Sequence, residues 1–137
     1  MGLILDSSIL IAGERRGATV RQVIESVRAA CGDQESALSA ISIIEFTHGI
    51  YRAKTNADRM RRKAFADELV RDMVVHPVSL AIAQLAGRIE GEQAAKGISI
   101  AIEDLVIGAT ALHVGFDVAT LNVKHFRAIP GLKVVPL

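Results

Sequence analysis

The chain has 137 residues, half of them hydrophobic and about a quarter charged, a profile that fits one globular domain able to bury roughly two-thirds of its unfolded surface. The net charge of +1 excludes strong bulk attraction to nucleic acid, so any cationic surface must be local. The single cysteine, Cys31, excludes an internal disulfide and fits a reducing, cytoplasmic setting.

"GLILD", residues 2–6, is a leucine- and isoleucine-rich run without alternation, which predicts a strand covered on both faces. It lacks a preceding cationic segment and reads as a strand, not a secretion signal; no later run is long and apolar enough to span a membrane. Ser7 or Ser8 can cap a helix starting at Ile9. Val20, Val23, Ile24 and Val27 recur at helical spacing up to Gly32, a good residue for ending a helix.

"SALSAISIIEFTHGIYRAK" begins extended and becomes helical, with Ile41, Ile44, His48 and Tyr51 on one face. In the next amphipathic segment Met60, Ala64, Leu69 and Met73 are expected to face inward, leaving Arg59–Lys63 as a solvated run. "VVHPVS" is a short strand limited by Pro77, and Ser79 can cap a helix that stops at Gly97. A further helix closes at Gly115, followed by the strand "DVATLN", a turn at "VKHFRAI" and a last strand at "GLKVVPL". Apolar strands alternating with amphipathic helices predict an α/β domain with a parallel sheet over residues 1–137, without repeats or linkers.

Three acids interrupt this pattern. Asp6 ends the first strand, where open parallel sheets place their ligand crevice. Glu45 lies among Ile41, Ile44 and His48 on its helix, and Asp104 shares a side with Ile100, Ile107 and Ala111. Gly49 and Gly108, each four residues on, are expected to leave open space beside the carboxylates. Each acid alone has an ordinary structural role open to it, as a cap, an ion-pair partner or a complement to a helix dipole. Three such acids on three elements, if they converge, need a cation, and carboxylates suit a hard ion such as Mg²⁺ or Mn²⁺. An ion held this way activates water and stabilises a leaving oxygen, which is the chemistry of phosphodiester hydrolysis. Glu103, about 100° round the helix from Asp104, is expected to point away, and Glu14, Glu25, Glu90 and Glu92 to lie on solvated faces. Thr120 and Ser7 can hydrogen-bond one of the acids. Arg15, Arg16, Lys124 and Arg127 are the cations nearest the cleft in sequence, and scarce aromatics argue against an open base-stacking platform.

The segments "LILDSSILI", "ISIIEFTHGIYRA", "GISIAIEDLVIGATALHVG" and "VATLNVKHFRAIPGLKVV" together resemble PIN-domain ribonucleases of the VapC type, the toxins of bacterial toxin–antitoxin pairs. The resemblance covers essentially the whole chain. It implies a three-layer α/β/α sandwich with a short central parallel sheet, and Mg²⁺- or Mn²⁺-dependent endoribonuclease activity, usually on transfer or ribosomal RNA. It also implies a homodimer held inactive by a cognate VapB-like antitoxin. By position it assigns Asp6, Glu45 and Asp104 as the core acids and metal ligands. Where a fourth acid is frequent, this chain has Asn122 and His125, so Asn122 is assigned as the fourth site residue, ligating through its carbonyl or holding water, with His125 toward substrate phosphate. Haloacid-dehalogenase-type phosphatases and phospho-receiver domains also place an aspartate after the first strand. The former need a second aspartate two residues on, where Ser8 stands, and the latter an acidic pair that "LILDSS" lacks. A non-catalytic RNA- or antitoxin-binding module on the same fold is the remaining alternative.

Overall fold

A computed structural model describes all residues 1–137. In chain order the elements are β1 (Gly2–Leu5), α1 (Ser7–Arg15), α2 (Val20–Cys31), β2 (Glu35–Ser39), α3 (Ala40–Arg52), α4 (Asn56–Asp72), β3 (Val74–His76), α5 (Leu80–Ala94), α6 (Ile102–Val114), β4 (Asp117–Thr120), a single 3₁₀ turn (Val123–His125) and β5 (Val134–Pro136). The strands form one sheet in the order β3-β2-β1-β4-β5, and every neighbouring pair is parallel.

Side chains on a strand alternate between faces, and that period divides the core in two. Ile4, Ala37 and Val118 point to one face and pack with Ile82 and Ile89 of α5, Leu105 and Ile107 of α6, and Phe126 just after the 3₁₀ turn. Leu3, Leu5, Leu38 and Ala119 point to the other face and pack with Leu10, Val23, Phe65 and Leu69 of the α1, α2 and α4 layer. The result is the α/β/α sandwich implied by the resemblance, with β1 fully buried at its centre. Burial on both faces is why "GLIL" shows no alternation. No helix is long and apolar enough to cross a membrane.

Several expected details change. The first helix begins at Ser7 rather than Ile9, and Asp6 takes its N-cap position without its side chain capping. On α3 the apolar face named from spacing splits: Ile41 packs against the core, while Ile44 and Tyr51 are 68% and 76% exposed. That helix is apolar on more than one side, and Ile43 and Phe46 pack against the core of the other layer. On α4 the inward line is Phe65, Leu69 and Met73, each four residues from the next, while Met60 and Ala64 are exposed. Met60 lies five residues before Phe65, about 140° round the helix, so it cannot share that line.

Gly49 and Gly108 also separate. A β-carbon at Gly49 meets nothing within 4 Å, as expected, but one at Gly108 runs into the Ile129 side chain. The glycine at 108 therefore serves close packing of α6 against the segment after the 3₁₀ turn, not an open space beside Asp104.

Candidate active site

Strand order reverses at β1, which has β2 on one side and β4 on the other although β4 follows much later in the chain. The crevice at such a switch point opens above the C-terminal strand ends. Asp6 stands there, directly after β1, its backbone N–H bonded to the Ala119 carbonyl of β4 at 2.9 Å. Its side chain is 4% exposed yet ion-paired to nothing.

Two hydroxyls meet the cost of burying that charge. Ser8 Oγ and Thr120 Oγ1 both donate to Asp6 Oδ2, each at 2.7 Å. Each hydroxyl in turn accepts a backbone N–H from the turn after β4: Asn122 N donates to Thr120 Oγ1 at 2.9 Å, and Leu121 N to Ser8 Oγ at 3.3 Å. Proton donation thus runs from turn to hydroxyl to carboxylate along two parallel routes. Charge-assisted bonds of this kind hold a carboxylate firmly and fix its orientation.

The second centre is Ser7, buried at the start of α1. Its hydroxyl lies 2.7 Å from Glu45 Oε2, on α3, and 3.2 Å from Glu103 Oε1, on α6. Ser7 has one proton, so it donates to one carboxylate at a time and joins elements 38 and 96 positions away. The Glu103 carboxyl is pushed up to about 7, chiefly by burial, then by a hydrogen bond with Glu45 and by the Glu45 charge, with Ser7 opposing. The burial and the neighbouring Glu45 charge thus both favour the protonated form of Glu103.

Asp104 follows Glu103 in the first turn of α6. Burial raises its pKa, the nearby His125 opposes that, and the charges of Asp6 and Glu45 add to it. Asp104 is thereby in electrostatic contact with both other acids. His125 Nδ1 lies 3.5 Å from Asp104 Oδ2, and no lysine or arginine is ion-paired with Asp6, Glu45, Glu103 or Asp104.

The cleft therefore gathers Asp6, Glu45 and Asp104 from three elements, with Glu103 as a fourth acid. Glu103 corrects the expectation that it points away. Its 100° offset from Asp104 matters along the flank of a helix, but both residues lie at the N-terminal end of α6, toward which helical side chains lean. A site beyond the helix end can receive two consecutive residues. The signal available in the sequence was that both acids open a helix whose next seven residues, Leu105–Ala111, are uncharged and apolar or small, and the structure buries all of them. Ser8 was likewise missed as a partner of Asp6, because "DSS" reads first as a helix cap.

Asn122 is exposed, and only its backbone N–H enters the network; its side chain bonds none of the acids. His125 reaches Asp104 instead. No three acidic, histidine or cysteine side chains stand close enough to hold an ion as they are placed. The donor set nevertheless fits a hard divalent cation: all carboxylate oxygen, uncompensated by lysine or arginine, with burial and like charge both raising Glu103 and Asp104.

The PIN domain profile matches residues 3–132. Ribonuclease VapC1 of Rickettsia felis is 31% identical over 98% of this chain and 96% of its own length. Ribonuclease VapC of Rickettsia bellii is 32% identical over 100% of this chain and 98% of its own. Among solved structures, VapBC2 from Rickettsia felis bound to a promoter DNA fragment superposes with a TM-score of 0.84 at 20% identity, covering 100% of this chain and 99% of the matched one. DNA-bound VapBC from Salmonella typhimurium gives 0.82 at 21%, covering 99% and 98%. The switch-point crevice, the gathered acids and relatives aligned end to end agree: the chain belongs to the PIN-domain family and is of the VapC type.

Proposed function

We propose that this chain is a metal-dependent endoribonuclease toxin that hydrolyses RNA phosphodiester bonds, with transfer or ribosomal RNA as the substrate class and a VapB-like antitoxin as its inhibitor. The observation that carries the reading is the acid cluster with no lysine or arginine to neutralise it. Relatives above 30% identity that are named ribonuclease VapC support the RNA-directed part. VapBC neighbours named as toxin–antitoxin systems support the antitoxin. A homodimer working in the cytoplasm belongs to the same proposal.

Asp6, Glu45 and Asp104 would hold Mg²⁺ or Mn²⁺, which when bound lowers the pKa of a water and stabilises the leaving oxygen. The chain's own groups do the rest. Ser8 and Thr120 fix the Asp6 carboxylate through Oδ2 and leave Oδ1 free to ligate. Ser7 aligns Glu45 against Glu103, whose carboxyl near neutrality can hold or release a proton at the rim of the cleft. Asn122, on the turn tethered to Asp6, would ligate the ion through its carbonyl or hold a water on it, and His125, beside Asp104, would position the substrate phosphate.

The alternative, a binding module without catalysis, draws on Asn122 in place of an acid and on the open spacing of the carboxylates. Antitoxin-free protein incubated with RNA, with and without Mg²⁺ or Mn²⁺, separates the two when product ends are mapped. Metal-dependent cuts that vanish in Asp6→Asn while its fold persists support the enzyme. Retained cleavage in that variant refutes the role of Asp6, and no cleavage with either metal favours the module.

A further inference from the structure

A second feature adjoins the acid cleft. Between α1, α3 and α4 runs a groove of about 490 Å³ that shares Glu45 with the acid cluster. Cations from four places line it: Arg15 at the end of α1, Arg52 at the end of α3, Lys54 in the following loop, and Arg61 and Arg62 of α4. Two are committed. Arg61 is paired with Asp58 at 2.9 Å and with Glu14 at 3.5 Å, and Arg62 Nη1 donates to the Gly49 carbonyl at 2.6 Å. Arg15, Arg52 and Lys54 are exposed and have no carboxylate partner. Arg61, Arg62 and Glu14 thus line a shared groove instead of a plain solvated face.

On a protein of net charge +1, three unmatched cations round one groove are a local field that the composition does not announce. The groove offers little to a peptide's apolar side chains. Its apolar members are Ile11, Phe46 and Phe65, and the two phenylalanines pack on each other with ring centroids 6.2 Å apart. Gly49 leaves the wall beside Glu45 open. A flexible polyanion suits such a site, and a strand lying in it has its backbone led to the acids at Glu45.

We propose that this groove is the track for single-stranded RNA flanking the cut site, with Arg15, Arg52 and Lys54 holding its phosphates. The proposal rests on the RNA-directed reading above. The experiment measures binding without cleavage: a fluorescein-labelled, mixed-sequence single-stranded RNA of about 20 nucleotides, titrated in EDTA across a salt series. The variant Arg15→Gln/Arg52→Gln/Lys54→Gln is compared with Arg21→Gln/Arg88→Gln/Lys96→Gln, which removes equal charge outside the groove, and circular dichroism checks both folds. Loss of three single-strand phosphate contacts lowers the slope of log K against log salt by about 2 and the affinity by about 50-fold near 0.15 M salt. Each single groove substitution lowers the slope by about 0.7. Equal losses in the two triple variants overturn the proposal. So does a polyglutamate peptide of matched charge that binds as tightly as the RNA and is the ligand lost in the groove variant, since the groove then takes an acidic protein segment. Groove-dependent RNA binding by a protein that cleaves nothing with Mn²⁺ upholds the track while removing the nuclease reading.

Discussion

Thr120 Oγ1 donates to Asp6 Oδ2 at 2.7 Å, joining the ends of the two central strands across 114 positions of sequence. Thr120 is completely buried, and its oxygen also accepts the Asn122 N–H. Thr120→Val keeps the shape but removes both bonds. The expected cost is about 1–3 kcal/mol of stability, because a buried carboxylate and a backbone N–H lose their partner. Cleavage falls by about 10- to 100-fold as Asp6 loses its orientation. Thr120→Ser restores both. Denaturant unfolding and initial cleavage rates on the three proteins check this.

Glu103 gives the metal-free protein a pH dependence. Its carboxyl titrates near 4.5 in the unfolded chain and about 7 in the fold. The folded state thus binds the proton more tightly, so this group's stabilising contribution is complete below 4.5 and is lost as pH rises through about 7. In EDTA the melting temperature therefore declines across that window, and Glu103→Gln removes part of the decline. Scanning calorimetry at a series of pH values measures it; identical slopes for the two proteins contradict the raised pKa of Glu103.

Asp104 is half-buried, and its burial, then the charges of Asp6 and Glu45, raise its pKa against the opposing His125, so its ionised form is unfavourable to the fold. Asp104→Asn is expected to raise the metal-free melting temperature by about 2–5 °C near neutral pH while abolishing metal-dependent cleavage. The same melting and cleavage assays report both effects, and a destabilised variant would show that Asp104 is not under repulsion.

Gly49→Ala and Gly108→Ala should move in opposite directions. At position 49 nothing stands in the way, and replacing a helical glycine adds up to about 1 kcal/mol. At position 108 the new methyl collides with Ile129, and overpacking costs about 1–3 kcal/mol. Paired urea melts decide the matter.

The sandwich was readable because β1 is a short unbroken apolar run, as a strand covered on both faces asks for, and because short strands alternate with amphipathic helices. Asp6 was readable because it breaks such a run. Glu45 and Asp104 stood out as acids in apolar helices, and Ser7 and Thr120 as hydroxyls beside the cleft. What escaped depends on direction in space. Helix α3 is apolar on more than one side, so periodicity could not say whether Ile44 or Phe46 faces the core. Glu103 obeys the rule for a helix flank but occupies a helix end. Gly108 looked like Gly49 in sequence and differs because Ile129, 21 residues on, packs against it. Arg61 and Arg62 read as a charge run until folding set them opposite Arg15 and Arg52.

The central claim is that distant acids are brought together to bind one hard cation. Calorimetric titration of Mn²⁺ into metal-free protein tests it most directly, with Asp6→Asn and Asp104→Asn run beside it. Saturable binding that disappears in both variants, with their folds retained, is the predicted result. Binding that survives both substitutions, or wild-type protein that takes up no Mn²⁺ at all, contradicts it.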